Sequence, residues 1–419
     1  MPITSELVWD AAAIRRAIRL LGSHSSRIDD PQSGARALRL IWDIVQRRGA
    51  PTDIFQLPGT MPLVIVGHGP HLIVTHLDDA HPSAQVDDVG LASISGDVVS
   101  VPGITRKAGV LAALGTVLGN DAIAEQVTLI IEADRHSGSR AFAYWLDSTE
   151  RELHSACCEI ADLPVPAPAL FLAATGLATL KVNVTDDGGA FERVYGGVRP
   201  DLGHRLVATL AAMKSVDGEV LVPEFYDDVV TPEPEGLAAL QQVAAPVGAW
   251  LTRGTSPHED RLTSSHLTLG AFLAPSLNVR ALELNGAGPY LANSASAVVE
   301  ARIMPGQNAA AIARAVSDFI RSRMPDASVD TLLLLPSAKQ AALDLATLST
   351  IAPVLPVAPG NSPAGLLEAV GIPTIGFSTV WRDPAAQIEQ VNLSAITDGT
   401  TMIRSLIELL AESTTGAAG

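Results

Sequence analysis

Residues 76–81 read HLDDAH, which places His76, Asp78, Asp79 and His81 within six positions. Imidazole and carboxylate groups are the side chains that bind zinc and move protons near neutral pH. They end the run LIVTH (72–76), whose apolar and β-branched residues predict a buried strand. A strand that delivers a His and an Asp two residues apart can begin a metal site or an acid–base pair. Further along, ADRHSGS (133–139) sets Asp134, Arg135 and His136 after a second apolar run, VTLIIEA (127–133). His68 and His71, in GHGPH, have His-x-x-His spacing, but the Gly-Pro between them predicts a hairpin turn with exposed imidazoles. The two cysteines, Cys157 and Cys158, are adjacent and cannot staple the chain to itself in the ordinary way. They read as partly buried, inert thiols of a reducing cytoplasm.

The elements that must position these groups alternate over the first 180 residues. Helical spacing covers 7–22, 33–49, 107–119 and 139–147, and strand patterns cover 63–67, 72–76, 127–133 and 169–174. That alternation predicts an α/β layer with a mixed or parallel sheet. From Lys181 the order becomes strand, helix, strand, strand, helix, strand, ending in SVDTLLLL, a β-α-β-β-α-β ferredoxin-like arrangement. After about residue 337 the α/β character returns, with TIGFST (374–379) as a strand and a final amphipathic helix. The expected organisation is therefore an α/β domain of residues 1–180 and 337–419 with a second domain, 181–336, inserted in it.

Composition narrows the function classes. The 419 residues carry a formal net charge of −17 and no basic tract, which argues against nucleic acid or an anionic membrane as partner. No apolar run reaches the length of a membrane span. The opening MPITSELVWDAAAIRRAIRLL has the pattern of an amphipathic helix, not of a signal peptide.

Several segments, in order, resemble the M20 family of zinc peptidases and amidohydrolases. THLDDAHP is similar to the family's His-x-Asp strand end, and GITRKAGVLAAL (103–114) to its Gly-x-x-Asp-x-Lys-Gly-Gly helix start. IIEADRHSGS (130–139) lies where the family has a Glu-Glu pair before x-Gly-Ser. VYGGVRPDLGHRL, SASAVVEARIMPGQN and GIPTIGFS resemble two lid segments and the strand before the last ligand. The resemblance implies an M20-type mixed-sheet α/β domain, an inserted ferredoxin-like lid and dimerisation domain, and a homodimer through that lid. It also implies two zinc ions roughly 3.5–4 Å apart sharing a carboxylate, with a Glu as general base.

This chain departs from that pattern where the metals would bind. His76 and Asp78 match, but the bridging Asp falls on Thr105, the base Glu on Arg135 and its ligand neighbour on His136. The third carboxylate, expected after ALFLAA, meets Ala173 and Ala174, and the lid His falls on Phe191. The last histidine of the chain is His266, so the C-terminal His ligand, expected near Ala385, has no counterpart, although Glu389 matches its acidic neighbour. A guanidinium at 135 stays charged, repels a metal ion and can grip a carboxylate or polarise a carbonyl oxygen.

The sequence therefore leads to a reaction centre of His76, Asp78, Arg135 and His136, without metal or cofactor. Arg302, Asn361, Ser362 and Thr105 are the candidate ligand contacts. The expected function is binding of a small amino-acid- or peptide-like ligand with metal-independent amide or acyl chemistry: condensation, transfer or cyclisation. Two alternatives stand beside it: a mononuclear zinc site rebuilt from His76, Asp134 and His136, and a pseudoenzyme that only binds. The bland counterparts are a hydrogen-bonded relic at His76 and Asp78, a surface arginine at 302 and a helix cap at Ser362.

Overall fold

The computed structural model describes residues 9–22, 31–78, 93–100, 103–160, 167–186, 191–199, 201–244, 264–286, 289–339, 343, 345–380 and 390–416. Two compact units partition the chain. The first takes its residues from Met1–Ala174, Pro232–Phe272 and Lys339–Gly419, and the second from Thr175–Thr231 and Leu273–Ala338. The return of 232–272 to the first unit had no signal in the hydrophobic pattern.

The first unit is built on strands that read as unbroken apolar runs. Leu63–Val66, His71–His76, Val127–Glu132, Ser155–Glu159 and Thr374–Ser378 are buried at every residue. Such strands are covered on both faces, as central parallel strands are. His71–His76 lies parallel between Val127–Glu132 and Ser155–Glu159, and Thr374–Ser378 lies parallel on the far side of Ser155–Glu159. Leu63–Val66 and Thr52–Phe55 extend the other edge antiparallel.

Helices supply the cover. Ala11–Gly22 buries Ile14, Ala17, Ile18 and Leu21, one stripe at helical spacing. Ile104–Leu118 is instead buried almost all round, from Ala108 through Leu114, and joins the same core as Ile396, Ile403 and Ile407 of the final helix Leu393–Gly416.

Two sequence expectations change here. Leu63–Val66 and His71–His76 are not a hairpin, because Val127–Glu132 lies between them. His71 is consequently 4% exposed, its Nδ1 2.8 Å from Ser155 Oγ, while His68 is exposed. The run 169–174 and the strand expected from Lys181 are also not separate: one continuous strand runs Ala169–Thr185. Gly176 in TGLAT reads as a break, but it is the residue the strand requires there, because a Cβ would lie 2.2 Å from the Leu335 carbonyl.

In the second unit the later part of that strand pairs antiparallel with Ser294–Ile303 and Ser328–Leu335, and Ser276–Asn285 pairs with Ser294–Ile303. With helices Leu202–Ala211 and Ala309–Arg323 this is the β-α-β-β-α-β order, the first and third strands adjacent at the centre. Asn308 caps the second helix by accepting from Ala311 N–H at 3.0 Å. Ser294–Ile303 alternates half-buried and buried, and its buried residues, Ala295 to Ile303, share a core with Leu206, Val316 and Ile320.

Candidate ligand site at the carboxyl edge of the parallel strands

Parallel strands bring their carboxyl ends to one edge, where ligand sites of open α/β sheets collect. Here that edge receives Glu132, His76, Glu159 and Ser378, each the last residue of its strand. His76 and Glu132 are direct register partners. Asp78 follows two residues beyond His76 and is 2% exposed. After Glu132 the chain turns through a single 3₁₀ segment, Arg135–Ser137, closed by Gly138 at φ 96° and Ser139 at φ 50°. This turn ties the strand ends together. Asp78 Oδ2 accepts from the His136 backbone N–H at 2.8 Å, and Ser139 Oγ donates to Glu132 Oε1 at 2.7 Å.

Both imidazoles face guanidinium groups. Arg106, on the first turn of the helix Ile104–Leu118, is 2% exposed, and its Nη1 lies 2.5 Å from His76 Nε2. A guanidinium can only donate, so Nε2 is the acceptor and the ring proton resides on Nδ1. Burial, then the charges of Arg135 and Arg106, hold the His76 pKa well below the usual histidine range. Arg135 is 3% exposed, and its Nη2 lies 3.3 Å from Nε2 of the half-buried His136.

The carboxylates are buried in the same region. Glu132 is fully buried, and burial, followed by the Asp78 charge, raises its pKa to about 8. It is therefore largely a neutral acid at pH 7. Asp134 is raised by burial too, with Arg140 Nε 3.9 Å from its Oδ2. Glu159 lies against the helix Ile104–Leu118 so closely that a Cβ on Gly109 would fall 1.5 Å from its Oε1. Lys107, in the first turn of that helix, is 1% exposed. Among the described residues, buried Arg106 and Lys107 on the first turn of that helix and buried Arg135 accompany buried Asp78, Asp134 and Glu159.

His76, Asp78, Arg135 and His136, the four residues singled out from the sequence, all lie at this edge. The other candidates are scattered. Thr105 precedes Arg106 on the helix, and its side chain is outside the described residues, as is that of Asn361, which ends the strand Val354–Asn361. Ser362 is fully buried, with Oγ accepting from Ala364 N–H at 3.2 Å, a local turn bond ahead of the helix Ala364–Ala369. Arg302 belongs to the strand Ser294–Ile303 of the second unit, and burial lowers its pKa to about 10. Asp79, His81, Ala385 and Glu389 lie outside the described residues. Cys157 and Cys158 are free and fully buried, and burial pushes both thiol pKa values up.

Arg106, Lys107, Glu132 and Glu159 were not singled out from the sequence. Glu132 and Glu159 each close an apolar run, VTLIIE and SACCE, and a charged residue at the last position of a buried strand was the available signal. The carboxylate expected after ALFLAA does not belong at that end of the strand. That strand runs antiparallel, with Ala169 opposite Ser378, so its amino end faces the site and the acid on the edge is Glu159.

A zinc pair of the kind the resemblance implies does not fit these residues. Zinc coordinates a lone pair on a ring nitrogen. His76 offers none, with Nε2 accepting from Arg106 and Nδ1 carrying the proton, and His136 Nε2 faces Arg135. Two buried guanidinium groups beside those rings, Arg106 and Arg135, oppose a dication further.

No family model and no curated sequence matches the chain. Solved structures do. Human carnosine dipeptidase 1 aligns over 96% of this chain and 97% of its own at 17% identity and TM-score 0.74. An M20 family metallo-carboxypeptidase from Sulfolobus solfataricus aligns over 95% and 99% at 15% identity and TM-score 0.77. The di-peptidase Dug1p of Saccharomyces cerevisiae aligns over 96% and 95% at 11% identity and TM-score 0.74. At such identities the likeness is one of backbone, and over nearly its whole length this chain has the fold of the M20 family peptidases.

Proposed function

We propose that the chain binds a small amino-acid- or peptide-like ligand at the carboxyl edge and acts on its amide or acyl carbonyl without metal. The observation that carries this reading is the pair of guanidinium groups set on His76 and His136. Fixed donors of positive charge polarise a carbonyl oxygen and hold an oxyanion, the electrostatic work a metal does elsewhere. Glu132, with a pKa of about 8, is the acid–base group matched to neutral pH. His76, neutral and engaged at Nε2, positions Arg106 and takes no proton itself. In transfer or cyclisation a ligand amine attacks the carbonyl carbon, the new C–N bond forms as the old bond breaks, and the departing group leaves with a proton.

Mass spectrometry of chelator-treated protein incubated with amino-acid amides and dipeptides tests this. Acyl-transferred or cyclised products are the expected result. Hydrolysis that depends on added zinc would contradict it and restore the rebuilt zinc site.

The balance of buried cations against buried anions favours a second reading, a non-catalytic binder whose internal ion network replaces the metals. Ligand affinity with no product in the same incubation distinguishes it.

Two further expectations enter the proposal. Homodimerisation through the second unit is supported by the edge strand Ser276–Asn285, which exposes Val279, Leu282 and Leu284 at 47%, 44% and 52%. A reducing cytoplasm is supported by the two free, buried thiols. Among the described residues no helix is long and apolar enough to cross a membrane.

A further inference from the structure

Asp78 and Glu132 are alike in one respect. Each commits one carboxylate oxygen to the turn after Glu132, Asp78 Oδ2 to His136 N–H and Glu132 Oε1 to Ser139 Oγ. Each keeps its other oxygen, Asp78 Oδ1 and Glu132 Oε2, buried and without a hydrogen-bond partner among the described residues. The two side chains are 2% and 0% exposed. A buried carboxylate oxygen lacking a donor is costly, on the order of 1–3 kcal/mol or more. Two such oxygens, on side chains tied to the same turn, mark a place for a donor from outside the chain.

We infer that Asp78 Oδ1 and Glu132 Oε2 receive the protonated amino group of the ligand. The inference rests on the amino-acid-like ligand proposed above and names the end of it that these residues hold. A primary ammonium is compact, carries three N–H donors and brings a positive charge to the buried Asp78 carboxylate. A buried water supplies donors but no charge. Glu132, largely the neutral acid at pH 7 because burial and the Asp78 charge raise its pKa to about 8, gives up its proton as the ammonium binds. The same turn presents Arg135, whose N–H donors suit the carbonyl oxygen of an α-amino acyl group. One edge thus offers acceptors for the nitrogen and donors for the oxygen of that group.

Thermal denaturation of the full chain at pH 7 tests the inference with methylammonium chloride and tetramethylammonium chloride at equal concentration. The first has N–H donors and the second has none. Methylammonium is expected to raise the midpoint and tetramethylammonium to leave it unchanged. Glu132→Gln, which keeps an oxygen for Ser139, is expected to weaken the methylammonium response about tenfold. Asp78→Asn should do the same, and the Glu132 variant carries the test if Asp78→Asn fails to fold. Equal midpoints in the two salts for the unmodified protein would overturn the inference and leave a buried water on these oxygens. N-acetylglycinamide, an amide without an amine, separates this from the broader reading. Protection by it without a methylammonium response overturns the amine pocket alone, whereas the reverse supports the pocket and counts against amide recognition.

Discussion

Arg106 Nη1 donates to His76 Nε2, so the ring nitrogen that a metal site would use is held by a permanent cation from the neighbouring helix. The relationship is local, arising because the first turn of Ile104–Leu118 comes next to the end of His71–His76. On the proposed reading, His76 serves as a neutral prop for a guanidinium.

Replacing Arg106 by Met removes that donor and leaves His76 buried with a vacant lone pair. We expect a loss of about 2 kcal/mol in denaturant unfolding, typical of a hydrogen bond to a charged group. The His76 ring should also protonate at higher pH in a ¹⁵N NMR titration, since one of the charges depressing it is gone. An unchanged ring titration would count against the contact.

Two groups should tilt stability with pH in opposite directions. Glu132 has a native pKa of about 8 against 4.5 unfolded, so its protonated form favours the native state below pH 4.5 and this advantage is lost as pH rises through 8. His76 is depressed from 6.5, so its contribution is present above pH 6.5 and lost as pH falls towards the native value. Glu132→Gln is expected to remove its share of the decline in thermal midpoint as pH rises from about 4.5 to 8, while leaving the loss that His76 causes on the acid side. A decline of the same size in the variant would assign it elsewhere.

Gly109→Ala tests the seating of Glu159. In most helix interiors this change is stabilising by about 1 kcal/mol. Here the new methyl would sit 1.5 Å from Glu159 Oε1, and the buried carboxylate must move. A loss of about 1–3 kcal/mol is expected, as for an overpacked core. A gain in stability would show that Glu159 does not rest on the helix.

Leu282→Lys places a charge on the exposed edge strand of the second unit. Light scattering should give twice the 43.6 kDa chain mass for the unmodified protein and the single-chain mass for the variant. A dimer indifferent to this change would place its contact on another surface.

Much of the fold was legible because it is written in hydrophobic periodicity. The runs LVIVG, LIVTH and VTLIIEA became buried strands, and SASAVVEARIM alternated as a strand with one covered face should. The strand SACCE is short, buried throughout and without alternation, so neither it nor its terminal Glu159 carries a periodic signal. Arg106 was unreadable for another reason. Whether an arginine on a helix points to solvent or to a histidine thirty residues earlier depends on packing, and no local pattern encodes it. Glu132 was hidden in the same way, since its register with His76 is a property of the sheet. The resemblance marks the ligand positions from which this chain departs, and the three-dimensional arrangement places Arg106 on His76 and Glu159 on the same edge.

We propose that these guanidinium groups leave no place for a metal. Metal content of natively purified protein, by inductively coupled plasma mass spectrometry before and after incubation with zinc and desalting, checks this. Less than about 0.1 equivalent is expected in both samples. One equivalent retained through desalting and lost in His136→Ala, or two equivalents of any kind, would contradict it.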